Sequence, residues 1–262
     1  MIATFPSAIR LLDAPGTSAL ERQHFIAVRM PVLAHDGANV PISVEMDHPM
    51  EPDHYIRSMA VYAFEDPLVT KGVFAFSPHN GRLSLSFQFR MNAGDHRVFV
   101  VVECSRHGRW ATSRMVRVAV GGCHTVGAGL EALQEAPARI GPPRLWVSPE
   151  IRPGEIFEVR VKATHPSRTG LRLLEDGRTF VRAGPPVFLQ SMEVFYGRHW
   201  FRPRLVSAFS LTSVLSDDPL FVFPLRADQE GPLRIVLTNN RGQRFAVSRE
   251  IRWKRYSVNG QK

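Results

Sequence analysis

Lysine and cysteine are what this chain has least of. Of its 33 basic residues only four are lysines, Lys71, Lys162, Lys254 and Lys262, so the net charge of +9 rests almost wholly on arginine. The arginines stand in ones and twos, with no block of five and no heptads behind a basic stretch. That excludes the usual electrostatic footprint of a nucleic-acid binder. The positive field still favours anionic partners or substrates, within the ~10 Å over which salt leaves it unscreened. No apolar run approaches the roughly 20 residues of a membrane span, so no membrane insertion is expected. The opening "MIATFPSAIRLLDAPG" has neither a charged leader nor a long apolar stretch, so no signal peptide is visible. A cytoplasmic protein and a mature form given a new initiator both fit that start. Two cysteines, Cys104 and Cys123, are too few for a disulfide framework. No CxxC, HExxH or zinc-knuckle spacing is present.

What the chain has in quantity is alternation. With 262 residues, 44% of them hydrophobic, it can build a core for one large or two ordinary domains. From His24 to Val120 short segments such as "NVPISVEM", "RLSLSFQF" and "RVFVVVEC" alternate with period two. Turn signals such as "SPHNGR" and "RHGR" split them, the pattern of an antiparallel β-sandwich. The stretch Gly121–Pro143 is rich in Gly, Ala and Pro, and reads as a linker. A second strand series, from "RLWVS" to "RFAVSREIRW", predicts a second sandwich. The expected fold is therefore all-β. The expected domains are a loosely held extension over 1–23, a first sandwich over 24–123, a flexible linker over 124–143, a second sandwich over 144–253 and a tail over 254–262.

Cys104 closes "RVFVVVEC", where alternation sets it on one face with Val98, Val100 and Val102. That face is apolar, and a free cysteine there reads as an inert core thiol. Cys123 differs in kind. Gly121 and Gly122 strip side-chain bulk from the end of "VRVAVGGC" and open conformations with φ > 0, which sets the thiol on a thin, mobile stalk suited to narrow clefts. A glycine-rich strand end followed by an incidental cysteine accounts for the same tripeptide, and spacing alone leaves both readings open. A reactive thiol works as the thiolate, a minor form at neutral pH when the pKa is near about 8.5, and His124 next door is placed to tune it. A carrier thiol also needs to have no resolving cysteine nearby. Strand arithmetic keeps Cys104 well beyond the ~7 Å between Cα atoms that a disulfide allows.

Other groupings read as ordinary structure. In "EMDHPMEPDHY", Asp47, His48, Asp53 and His54 crowd together, but their spacing fits no familiar metal geometry, and Pro49 and Pro52 mark a polar turn. No metal and no cofactor are therefore expected. Arg168 and Arg172 in "THPSRTGLR" read as solvated loop arginines. Tyr196, Trp200 and Phe201 read as packing near a hairpin turn. No Ser/His/Asp set or acid pair can be assembled, so catalysis by this chain is not expected.

The stretches "LAHDGANVPISVEMDHPMEPDHYIRSMAVYA", "PLVTKGVFAFSPHNGRLSLSFQFRM" and "VRVAVGGC" resemble SoxY, the sulfur-carrying subunit of the thiosulfate-oxidising Sox system. "RLWVSPEIRPGEIFEVRVKATHPSRTGLR", "MEVFYGRHWF" and "DDPLFVFPLRADQEGPLRIVLTNNRGQRF" resemble its partner SoxZ, in the order of a fused SoxYZ. The resemblance implies two immunoglobulin-like sandwiches in the periplasm. It implies a carrier whose cysteine is loaded with thiosulfate by the SoxAX cytochromes, hydrolysed by SoxB and oxidised further by SoxCD. Carried over residue by residue, Cys123 is the attachment thiol and Gly121 and Gly122 are the hinge of its arm. Here "HTVGAG" follows Cys123 in place of a chain end, so the arm is tethered on both sides. Two further functions fit the same residues: an accessory of a quinoprotein alcohol dehydrogenase with other or no cargo, and a secreted interaction module in which Cys123 is incidental.

Overall fold

The computed structural model describes residues 9–123, 140–197 and 204–254. The first half contributes β1 (Ile9–Leu11), β2 (Ile26–Arg29), β3 (Leu33–Asp36), β4 (Val40–Met46), β5 (Ile56–Ala63), β6 (Thr70–Ala75), β7 (Leu83–Phe89), β8 (Gly94–Cys104) and β9 (Gly108–Val120). The second contributes β10 (Gly141–Val147), β11 (Ile156–Thr164), β12 (Leu171–Leu173), β13 (Phe180–Arg182), β14 (Leu189–Tyr196), β15 (Arg204–Leu211), β16 (Leu220–Arg226), β17 (Gly231–Asn239) and β18 (Arg244–Ile251). A short helix, α1 (Ala19–Gln23), precedes β2. The all-β expectation holds, and so does its cause. In β4 the residues Val40, Ile42, Val44 and Met46 point inward, and in β7 Leu83, Leu85, Phe87 and Phe89 do the same. Alternate side chains of a strand lie on one face, so these two strands present one continuous apolar layer.

The strands form two large sheets, and each runs through both halves of the chain. One has the order β1-β9-β8-β5-β6-β15-β14-β17-β18, with β3 also on β9; the other has β10-β11-β16-β7-β4-β2. The first crosses from half to half at β6 and β15, where Phe74 faces Phe209 and Gly72 faces Leu211. The second crosses at Ser86 and Val222. Pairing two edge strands satisfies backbone groups that would otherwise invite pairing with another chain. Beneath the seam the rings of Phe74 and Phe209 sit 5.1 Å apart, and those of Phe74 and Phe87 4.9 Å apart. One apolar cluster extends from Ile26 to Ile251 across the seam. Asn80 ties it laterally, donating to Ser207 Oγ at 2.9 Å and to the Pro224 carbonyl at 3.3 Å.

The extension over 1–23, expected to be loose, is docked from Ile9 onward. β1 pairs in parallel with β9, Ile9 opposite Arg109 and Leu11 opposite Ala111. The Asp13 carboxylate accepts from the Ser113 amide at 2.8 Å and its hydroxyl at 3.0 Å. Ser18 and Glu21 then form a reciprocal capping box that starts α1. The helix ends at His24, which is wholly buried. Most of the expected linker, and the tail beyond Lys254, lie outside the described residues.

Candidate functional site

Cys123 follows the long strand β9 and is the last described residue before residue 140. It is a free thiol, as is Cys104, so the expected absence of a bridge between them agrees with the structure. Its surroundings do not match the expected mobile stalk, because the side chain is 0% exposed. The Gly122 amide donates to the Met91 carbonyl at 2.8 Å, and Arg90 donates to the Gly122 carbonyl at 3.0 Å. Thr169, from the second half, donates to the Cys123 carbonyl at 2.6 Å. Gly122 serves here as a fitted insert. A Cβ on Gly122 would stand 2.1 Å from the Ala38 amide nitrogen, so only glycine allows the two backbones to approach this closely. Neither glycine has positive φ.

The thiol faces charge. Its Sγ donates to Asp66 Oδ1 at 3.4 Å. The other carboxylate oxygen of Asp66 pairs with Lys71 Nζ at 2.8 Å, both side chains being fully buried. Lys71 also donates to the carbonyls of Leu68 and Arg90, at 3.0 and 3.2 Å. A buried ion pair survives only when its remaining donors and acceptors are met in this way. Arg90 in turn reaches Asp217 of the second half at 2.9 Å. Burial, and secondly the Asp66 carboxylate, push the thiol far above its ordinary pKa, against the pull of Lys71 and Arg90. The resting thiol is therefore protonated and shielded at the junction of the two halves. His124, expected to tune it, lies outside the described residues.

Cys104 is the core thiol that alternation suggests, and it also meets a group of histidines. It shares a buried face with Val98, Val100 and Val102. On its other side Sγ lies 3.4 Å from His48 Nε2 and 3.7 Å from His107 Nδ1. His24 Nε2 is 3.3 Å from His107 Nδ1, and His54 completes a group whose five potential donor atoms all lie within 4.8 Å of one another. Four separate places supply them. His24 caps α1, His48 and His54 stand in the loop between β4 and β5, Cys104 ends β8, and His107 stands in the turn before β9. Asp53, which the sequence groups with these histidines, instead pairs with Arg106 and anchors the loop to that turn. Tyr55 and Ser105 complete the anchor, with the Tyr55 amide 3.0 Å from Ser105 Oγ. Trp110 stacks on His24 at 4.4 Å, and Arg10 covers the indole.

Burial lowers the pKa of His24 and His54 and brings that of His48 down to about 4, so all three are neutral imidazoles at pH 7. Neutral imidazole is the form that ligates metal. The expectation of no metal site thus meets a set of residues able to hold one. The signal is faint in the sequence because the five residues are spread from position 24 to position 107 and meet only through the fold. Elsewhere, Tyr196 packs edge-on against Phe157 at 5.8 Å, as core packing predicts, whereas Trp200 and Phe201 are outside the described residues. The Arg168 backbone pairs with Val187.

Comparison with known proteins places both halves. Residues 13–123 match the family of the sulfur oxidation protein SoxY, and residues 148–250 match that of the sulphur oxidation protein SoxZ. No curated protein matches. Among solved structures, a superoxide reductase (neelaredoxin) from Ignicoccus hospitalis is 22% identical over 42% of this chain and 94% of its own, with a TM-score of 0.38. A superoxide reductase from Nanoarchaeum equitans is 18% identical over 42% of this chain and 100% of its own, with a TM-score of 0.32. The two matches together cover most of the chain: it belongs to the SoxY and SoxZ families, a SoxY domain followed by a SoxZ domain in one polypeptide of the sulfur-oxidation system.

Proposed function

We propose that this protein is a covalent sulfur carrier and not an enzyme, with Cys123 as its attachment thiol and the fold as the device that keeps the thiol latent. The observation that carries the reading is the seat of Cys123. A thiol that merely fills space sits among hydrocarbon as a small hydrophobe. Cys123 instead lies outside the continuous apolar core, against the Asp66–Lys71 pair, with residues of both halves holding its backbone. The four hydrogen bonds that hold Gly122 and Cys123 are worth about 1 kcal/mol each, so an undocked state populated at about one part in a thousand is accessible. Once undocked, Gly121 and Gly122 regain the freedom that glycine has and swing the thiol outward as a loop tethered on both sides.

Loading joins Sγ to the outer sulfur of thiosulfate, with loss of the thiol proton and two electrons, which a partner redox protein accepts. By resemblance those steps belong to the SoxAX cytochromes, with SoxB and SoxCD acting on the loaded carrier, in the periplasm. The SoxZ half braces the carrier half and closes the seat through Thr169 and Asp217. The depth of Cys123 favours one rival, the accessory of a quinoprotein alcohol dehydrogenase with no cargo on this thiol.

Tetrathionate separates the two without an added oxidant. A thiolate attacks its central sulfur–sulfur bond, forms the S-thiosulfonate and releases thiosulfate. Full-length protein should gain about 112 Da, slowly, in the wild type and in Cys104→Ser, and should not in Cys123→Ser. An adduct that persists in Cys123→Ser, or no adduct after exhaustive incubation, contradicts the carrier reading.

A further inference from the structure

The carrier reading gives no work to the five side chains that meet beneath Trp110. Their hydrogen-bond geometry is directional. His24 Nδ1 lies 2.7 Å from the Leu20 carbonyl and His48 Nδ1 lies 2.6 Å from the Pro49 carbonyl. A carbonyl only accepts, so both Nδ1 atoms carry the proton and both Nε2 lone pairs face the cluster. This is the arrangement that fixes tautomer and ring orientation in metal-ligating histidines. His54 Nε2 is buried with no partner at all among the described residues. Packing alone leaves that nitrogen at the cost of an unsatisfied buried acceptor, whereas a cation at the centre uses it.

The rings also form a square. Successive centroids are 4.9 Å (His24–His48), 4.5 Å (His48–His54), 4.8 Å (His54–His107) and 5.0 Å (His107–His24) apart, and each ring is turned 71–87° from the next. The His24–His54 diagonal is 6.4 Å. Two imidazoles bound on opposite sides of one ion, at about 2.1 Å with about 1.1 Å more from nitrogen to ring centre, have centroids about 6.4 Å apart. Cys104 Sγ approaches from the core, its residue 3% exposed, while His54 and His107 are half-buried toward the surface.

We propose that His24, His48, His54 and His107 bind a single iron ion through four nitrogens, with the Cys104 thiolate as fifth ligand and the position opposite sulfur open to a small exogenous ligand. Chemistry selects the metal. Calcium and magnesium take oxygen donors. Structural zinc closes with four donors in a tetrahedron, whereas five potential donor atoms converge here. Four nitrogens and one thiolate are the donor set of thiolate-ligated haem iron, offered here by side chains. The site is independent of Cys123, so the test is run in a Cys123→Ser background.

Full-length protein stripped with chelator is titrated anaerobically with Fe(II) and, in parallel, with Zn(II). One iron per chain is expected, and oxidation with ferricyanide should produce a thiolate-to-iron charge-transfer band in the visible. Cys104→Ser should keep iron and lose the band. His54→Gln, on a loop, should keep the circular dichroism of the parent and weaken iron binding by more than about tenfold. No stoichiometric iron, equal iron binding in His54→Gln, or retention of Zn(II) in preference to Fe(II) would overturn the assignment.

Discussion

The docked Cys123 thiol is held in its protonated form by burial and by the Asp66 carboxylate, and this has a measurable consequence for stability. Burial and Asp66 raise its pKa in the folded state, so the folded protein keeps the proton to higher pH than the unfolded chain does. The unfolded thiol ionises from about pH 8.5 upward. Below that pH both states are protonated and Cys123 contributes no slope. Above it the unfolded state gains from ionising, and stability falls. Urea unfolding of wild type and Cys123→Ala from pH 7 to 10 should therefore give parallel curves up to about pH 8.5 and a steeper decline in the wild type beyond it; parallel curves to pH 10 would contradict the burial. The sequence does not distinguish a hinge from a close-approach insert at Gly121–Gly122, because both need only a missing Cβ. What decides between them is Ala38, far upstream, whose backbone lies against Gly122.

Among the elements, strands are the most readable part of the chain because period-two alternation is a local property. β4, β7 and β8 bury the faces that their sequences assign to the interior. The capping box of α1 is also present in "SALE", within a segment whose composition suggests only a loose extension. The seam between β6 and β15 leaves no such trace, since edge pairing is set by which strands end up adjacent and not by the residues of either one. That seam should be costly to damage. Phe209 is fully buried and touches Phe74, Phe221 and Phe223, so Phe209→Ala should cost about 3–5 kcal/mol. Because the core is shared, scanning calorimetry should show one transition moved to lower temperature as a unit. Two transitions, of which only one moves, would contradict the shared core.

At the scale of the whole molecule, the SoxY and SoxZ halves share two sheets, with the Cys123 thiol buried where they meet. The first half supplies the thiol, the ion pair and Arg90; the second supplies Thr169 and Asp217. On the proposed carrier reading, function on this scale depends on how often that junction opens. The most direct measurement is the rate at which iodoacetamide labels Cys123 in the native full-length protein, in a Cys104→Ser background, relative to an unstructured peptide of the same local sequence. Four hydrogen bonds of about 1 kcal/mol each imply labelling about a thousandfold slower than in the peptide, and loss of one of them in Thr169→Val implies a rise of about fivefold. Labelling of native Cys123 as fast as the peptide, with no response to Thr169→Val, would contradict a docked and latent thiol.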